Sequence, residues 1–458
     1  MSVSRIRSSA RILSVAARYD IGKKLRGKIR RADHAEWSPP ASRRDPIAIL
    51  VETSRHRIPE LLAIRYGRMA ASPFAFLRGA AAVMAADLAS TRDTGLRVQT
   101  CGDCHLANFG SYESPEGNVV FDINDFDETL PAPFEWDIKR LATSIVLAGR
   151  DAGLPGKSCA AAARNSVAAY RKHMSTLVKL PPAEAWRSRT DLIGALAEID
   201  DRRVRKREEQ RLEKARGYPA DGLYGISRAR GKWRINDKRP LVYHFDDKRS
   251  GVHDLAARAV FANYAETLME DRRILLDRFR LVDVAFKVVG IGSVGTFCAV
   301  GLFMTADDQP LRLQIKEAAQ SVLAPYAGAS VYRNQGERVV VGQRLIQAAS
   351  DIFLGWTQDR KSKRDFYVRH LKNAPLANIA EEIQATALEF YARLCGRTLA
   401  RAHARSGDAA RISGYLGNSS AFDEAISDFA VAYADQSARD HQALLAAIKA
   451  GRMSAKAT

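Results

Sequence analysis

One stretch limits the fold more than any other: FKVVGIGSVGTFCAVGLFMTADDQPLRLQIKEA, Phe286 to Ala318. Gly290, Gly292 and Gly295 set out G-x-G-x-x-G, a loop whose missing side chains let the backbone approach a phosphate. A dinucleotide-binding loop of this pattern opens a helix and meets an acid about 20 residues on. Here the loop runs instead into TFCAVGLFM, β-branched and aromatic, then a TADDQP turn, then the alternating LRLQIKEA. That order reads strand, loop, strand, turn, strand. It predicts an antiparallel sheet with Lys316 near the end of its third strand. A nicotinamide-linked reading requires a helix starting after Gly295. A plain glycine-rich hairpin with an exposed lysine is the other rival.

The second informative stretch is CGDCHLANFG, Cys101 to Gly110. C-x-x-C-H is the pattern of c-type haem attachment, and C-x-x-C alone suits a redox pair or half a zinc site. Read as G-D-x-H-x-x-N, the same letters supply a base and a hard-oxygen ligand. Seventeen residues after Asn108 comes Asp125, in FDINDFDE after a second predicted strand. A hairpin would bring Asn108 and Asp125 together as an oxygen pair for Mg²⁺, with Asp127 assisting the metal or capping the next helix. Asp103 would then accept a proton from a hydroxyl substrate. A base, a metal-binding Asn and a downstream metal-binding Asp are the division of labour in kinase-type phosphoryl transfer. The glycine loop and Lys316 supply the matching phosphate contacts. The lysine's usual partner is a Glu on the next helix, and RNQGERVVVGQRLIQAAS offers Glu337, with Gln343 as a polar alternative. Glu317, next to Lys316, should face the other side of the strand.

Composition weakens the thiol readings. The five cysteines are too few for a disulfide scaffold and fit a reducing cytoplasm. The N-terminus lacks an uninterrupted apolar stretch, and Val288–Met304 is too short and glycine-rich to span a bilayer, so no export signal or membrane span is expected. No second cysteine pair completes a zinc site. Cys104 reads as a size-tolerant substitution and His105 as a structural hydrogen-bonder. The 71 Lys+Arg against 52 Asp+Glu point to acidic partners. Residues 1–44, with twelve Lys/Arg and three Asp/Glu, read as a loose basic arm, solvated or in contact with an anionic partner. Residues 45–280 read as a helical part carrying the acidic loops and a charged helical insertion that includes Asp201–Arg216. Residues 281–375 read as a β-rich nucleotide-binding part, and 376–458 as a helical segment.

GDCHLANFG, INDFDE and PFEWD together resemble the catalytic core of aminoglycoside phosphotransferase-like and choline kinase-like enzymes. The resemblance implies Asp103 as base, Asn108 and Asp125 as metal ligands, and Asp137 as the residue orienting the loop. RYGRMAASPFAFLRG, EWDIKRLATS, VGIGSVGT, GQRLIQAASDIFLGW and YADQSARDH are similar to a bacterial domain-of-unknown-function family, number twenty-two fifty-two, over roughly residues 45 to 445. The expected fold is therefore α+β, two-lobed and protein-kinase-like, with extra helices. The catalytic loop precedes the glycine loop, opposite to ordinary kinases, so the fold is expected to be circularly permuted. EFYARLCGRTLARAHARSGD would be the displaced helix that leads into the catalytic loop. The expected activity is ATP- and Mg²⁺-dependent phosphate transfer to a hydroxyl-bearing acceptor. AMP transfer, or a non-catalytic nucleotide-sensing or nucleic-acid-binding regulator, are the alternatives. Arg65, Arg68 and Arg78 are candidates for phosphate or substrate contacts, and FYVRHL for the adenine pocket.

Overall fold

A computed structural model describes residues 13–190, 192–197, parts of 202–210, 225–229, 231–244, 257–288, 290–371 and 385–456. Its strands are β1 (Arg97–Thr100), β2 (Phe109–Glu113), β3 (Val119–Ile123), β4 (Leu130–Pro133), β5 (Ile226–Ala229) and β6 (Lys232–Ile235). They continue as β7 (Val242–Tyr243), β8 (Arg280–Lys287), β9 (Cys298–Met304), β10 (Pro310–Ala318), β11 (Gly355–Gln358) and β12 (Asp365–His370). The chain is a mixed helix-and-sheet protein of the α+β kind.

Six strands form one antiparallel sheet in the order β11-β12-β10-β9-β8-β7. Alternation along β10 explains its two faces. Leu311, Leu313 and Ile315 join Val284, Phe286, Phe303, Phe366 and Val368 in an apolar core. Arg312, Gln314 and Lys316 point the other way, yet all three are buried. The expected strand-loop-strand-turn-strand order is therefore present. The glycine loop is a short turn, Ile291–Ser293, leading directly into β9. No helix follows Gly295, so the nicotinamide-linked reading is withdrawn.

The second core is helical. The helix Phe134–Asp151 buries nearly its whole circumference. It is surrounded by Gly156–Val178, Ala385–Ser406 and Ala421–Lys449. Its buried polar residues, among them Glu135, Asp137, Lys139 and Arg140, mark it as a core helix that also carries the site's supports. The break expected near SGYLGNSS falls at Gly417, between Ala409–Leu416 and Ala421–Lys449.

Three expectations are corrected. The described part of the basic arm is not loose. Val15–Lys24 packs on Ala409–Leu416. Arg26 and Arg31 donate to the carbonyls of Tyr415 and Leu416 at 2.9 and 2.7 Å. Arg43 bridges Asp87 at 2.8 Å and Asp440 at 2.6 Å. These three arginines are spent on carbonyls and carboxylates of the same chain. Second, the boundary at 280 is misplaced: Ala257, Val260, Phe261, Tyr264 and Leu276 belong to the sheet's core, and β7 to the sheet. Third, RIPELLAIRYGRMAASPFAFLRGAAAVMAADLAS, whose pattern predicts two helices broken near Ser72-Pro73, forms three, with Pro73–Gly79 and Ala81–Leu88 both after the break. The charged run Asp201–Arg216 lies largely outside the described residues.

Candidate active site

The acidic loops are held by a hairpin. β2 and β3 pair antiparallel, with Phe109 opposite Ile123. The Asn124 N–H donates to the Asn108 carbonyl at 2.8 Å, which closes the hairpin's mouth. Asn108 and Asp125 therefore come side by side, as their sequence spacing predicts. The Asn108 amide nitrogen donates to the Asp103 carbonyl at 2.8 Å, so its oxygen is the atom left for a cation.

The loop ahead of the hairpin is anchored from beneath. Asp137, near the start of its helix, accepts from the N–H groups of Cys101 at 2.8 Å and Gly102 at 3.1 Å. His403 lies 3.3 Å from the same carboxylate, and Tyr170 backs His403 at 2.9 Å. Gly102 has φ +81, and a Cβ there would stand 2.4 Å from the Glu128 carbonyl oxygen, so only glycine fits. One helical turn past Asp137, Arg140 grips Asp103 Oδ1, its Nε donating at 2.7 Å. Asp103 Oδ2 is left facing the cavity. Burial pushes the Asp103 carboxyl up from its ordinary range, with Arg140 opposing and Asp125 adding to the rise.

Lys316 meets this site from the sheet. Its ammonium lies 2.5 Å from Asp127 and 3.7 Å from Asp125, although Asp127 is 189 residues away in sequence. Tyr367 on β12 donates to Asp127 at 2.6 Å, and Ser293 of the glycine loop donates at 2.8 Å. Burial pulls the Asp127 carboxyl up, but Lys316 and the two hydroxyls outweigh it and hold it at about 2. Burial likewise works against the Lys316 charge, and Asp125 and Asp127 outweigh it, so the ammonium stays charged well above its usual range. Glu317 faces away from Lys316, 3.3 Å from Arg364.

The glycine loop roofs a cavity of about 130 Å³, lined among others by Arg57, Arg65, Arg78, Asp103, Asn108, Asp125, Asp127, Gly290 and Gly292. Gly295 has φ +92 and sits against Arg57; its carbonyl accepts from the Ile58 N–H at 2.7 Å. Hard oxygens from Asn108, Asp125 and Asp127 on one wall suit Mg²⁺, which takes a few protein oxygens and fills its shell with phosphate and water. Asp125 is the open one, 34 % exposed against 25 % for Asp127.

Not every expected residue arrives. Glu337 is not the lysine's partner. It sits in the first turn of the helix Gln335–Ile346, where its N–H is capped by Asn334 at 3.0 Å. The neighbouring Arg338 turns inward instead. Its guanidinium donates to the carbonyls of Asp127, Thr129 and Ala319 at 2.9, 2.7 and 2.8 Å, tying the acidic loop to the end of β10. Arg68 is not among the cavity residues. FYVRHL coincides with β12, whose Tyr367 faces the acidic loop; residues 372–384, which follow it, lie outside the described residues. His105 lines the cavity, but its imidazole is 3.8 Å from Asp103, and burial keeps it neutral. Arg140, Ser293 and Tyr367 were not singled out from the sequence. The spacing of Asp137 and Arg140 carried a signal, since residues three apart share a helix face.

The thiol readings fail on burial. Cys101 and Cys104 are free and inaccessible, and burial raises both thiols, Cys104 to about 11. They lie close to Asp137, but its oxygens already accept two N–H groups. Buried neutral thiols are poor nucleophiles and poor redox partners. No helix among the described residues is long and apolar enough to cross a membrane. No curated protein and no solved structure matches the chain. Residues 57–447 do match the family described as "Uncharacterized protein conserved in bacteria (DUF2252)", and the chain belongs to that family.

Proposed function

We propose that the protein is an ATP- and Mg²⁺-dependent phosphotransferase with a circularly permuted, kinase-like arrangement. One observation carries this reading: Lys316 of the sheet pairs with Asp125 and Asp127 of the hairpin, and these carboxylates line one cavity together with the glycine loop, Asp103 and Asn108. Kinase sites combine a glycine loop over phosphates, a lysine on the third strand, a catalytic-loop Asp and Asn, and a further metal-binding Asp. Permutation draws support from the C-terminal helix. Its Ser406 accepts from the Gln99 N–H of β1 at 2.9 Å, so its end abuts the strand that leads into the Asp103 loop.

In this reading Asp103 Oδ2 takes the acceptor's hydroxyl proton while Arg140 fixes the carboxylate. The acceptor oxygen forms its bond to the γ-phosphorus, the bond to the β–γ bridging oxygen breaks, and ADP leaves. Asn108, Asp125 and Asp127 would hold Mg²⁺, which neutralises phosphate charge. Lys316 and the loop N–H groups position the phosphates, so catalysis is chiefly orientation and electrostatics. The site as it stands is closed: Ser293 and Lys316 occupy Asp127, and nucleotide entry requires the loop to lift.

Calorimetry of the full chain with Mg²⁺ and a non-hydrolysable ATP analogue tests this. Binding should require Mg²⁺ and fall at least about tenfold in Lys316→Met and Asp125→Ala. Asp103→Asn should keep binding and lose turnover. Mass spectrometry of a modified acceptor separates phosphate from AMP. Analogue binding indifferent to Mg²⁺ and to Lys316 would sink the proposal, and salt-sensitive nucleic-acid binding without turnover would favour the regulator.

A further inference from the structure

The cavity's walls are unequal in charge. The opposite side carries Asp103, Asp125, Asp127, Glu128 and Glu317; the Lys316 ammonium offsets Asp125 and Asp127, and a bound Mg²⁺ would offset them further. The wall built from residues 53–82 contributes Thr53, Arg57, Arg65, Arg78, Gly79, Ala81 and Ala82 to the lining: three guanidiniums and no carboxylate.

Two of these arginines form no ion pair among the described residues, although Glu128, Asp127 and Glu317 act on Arg57 from a distance. Arg65 is fully buried and donates only to neutral groups, the Gly79 carbonyl at 2.7 Å and the Ser54 hydroxyl at 3.5 Å. Arg57 is partly buried and donates to the Val294 carbonyl at 2.6 Å. Neither forms an ion pair with a carboxylate among the described residues. Burial pulls both guanidiniums down, Arg65 to about 9, and the charge of Arg57 adds to the effect on Arg65. Guanidiniums gathered on one wall without an ion pair are costly to bury, so the arrangement is sensible when a bound anion completes it.

The wall also lies where an acceptor must sit. A hydroxyl that gives its proton to Asp103 has to approach within about 3 Å of Oδ2. Gly292 is the roof over that point: a Cβ built on it would be 3.7 Å from Asp103 Oδ2 and 3.3 Å from the Arg78 carbonyl. Space beside Asp103 is therefore bounded by the arginine wall. The Mg²⁺ and lysine side serves the nucleotide phosphates. The arginine side is a second anion site.

We infer that the acceptor is a small molecule bearing an anionic group, a phosphate or carboxylate, beside its reactive hydroxyl, and that Arg57, Arg65 and Arg78 bind that group. The substrate class rests on the phosphotransferase reading; the anion site rests only on the arginine wall. The cavity's small volume, about 130 Å³, suits a small molecule.

Inorganic phosphate is the probe. Titrated into the full chain loaded with Mg²⁺ and the non-hydrolysable ATP analogue, it should bind saturably at one site. Arg78→Met and Arg57→Met should each weaken it about tenfold or more, and Arg78→Met should leave analogue affinity within about twofold. Arg65→Met should do the same where it folds, and the partly exposed Arg57 provides the variant least dependent on that. Turnover is then tried on matched pairs, glycerol with glycerol phosphate and glycerol with glycerate. Transfer should be confined to the anionic members, and the preferred one distinguishes phosphate from carboxylate. The inference is overturned if phosphate does not bind the loaded chain, displaces the analogue, or binds unaffected by the arginine substitutions. It is equally overturned if the neutral member of a pair is the better acceptor. If the analogue itself fails to bind, the phosphotransferase reading falls, whereas arginine-dependent phosphate binding to the free chain would still establish the anion site.

Discussion

Replacing Arg401 by methionine tests whether the C-terminal helix is held to the acidic hairpin by charge as well as packing. Arg401 is fully buried and pairs with the equally buried Asp122 of β3. Its other terminal nitrogen donates to the Ile346 carbonyl at 3.0 Å. Removing one member of a buried pair costs about 3–5 kcal/mol, because the remaining charge is stranded away from water. Asp122 keeps two N–H donors, Ile123 at 2.9 Å and Ala348 at 2.8 Å, which moves the expected loss to the low end, about 3 kcal/mol. The orphaned Ile346 carbonyl adds about 1 kcal/mol. Arg401→Met should therefore cost about 4 kcal/mol. Asp122→Asn in the same chain removes the stranded charge and should recover about 2 kcal/mol. Guanidinium unfolding of the two single variants and the double, followed by tryptophan fluorescence and circular dichroism, measures the cycle. A loss below about 1 kcal/mol for Arg401→Met, or strictly additive single effects, refutes the reasoning.

Other expectations come from the same structure. Burial, with Lys139 nearby, pushes the His34 imidazole down to about 3. An unfolded histidine titrates near 6.5, so the unfolded chain takes the proton first and stability falls as pH drops; about 1.4 kcal/mol should go between about pH 7.5 and 5.5. In His34→Gln, melting measured at both pH values should lose that part of the difference; an unchanged difference contradicts the burial argument. Gly102→Ala forces a side chain into positive φ and against the Glu128 carbonyl, and should cost at least about 2 kcal/mol in thermal unfolding. Ser293→Ala frees Asp127 from the glycine loop. It should tighten Mg²⁺–analogue binding roughly three- to tenfold by calorimetry, and weaker binding would mean that the closed loop does not compete with nucleotide.

Much of the site was legible because it is written in local periods. Alternation in LRLQIKEA put Lys316 opposite Glu317, and the seventeen-residue spacing of Asn108 and Asp125 matched a hairpin. The residues around Asp103 that sequence reasoning passed over act at long range. Arg140 reaches back 37 residues, Ser293 reaches across 166 and Tyr367 across 240 to Asp127. Glu337 illustrates the limit: one step along the helix decides whether a side chain faces the acidic loop, and the inward position went to Arg338. The basic arm illustrates another, since net charge gives no sign of which carbonyls and carboxylates will take up the arginines.

By itself the sequence determined the antiparallel glycine-loop sheet, the acidic hairpin and the helix after it, because alternation, turn residues and helical spacing act within a few residues. Tertiary structure alone decided that Lys316 pairs with Asp127, that Arg338 replaces the expected glutamate, and that three arginines from residues 57–78 wall the space beside Asp103. Those outcomes depend on which buried charges find partners when separate elements pack, and that balance is settled only in three dimensions.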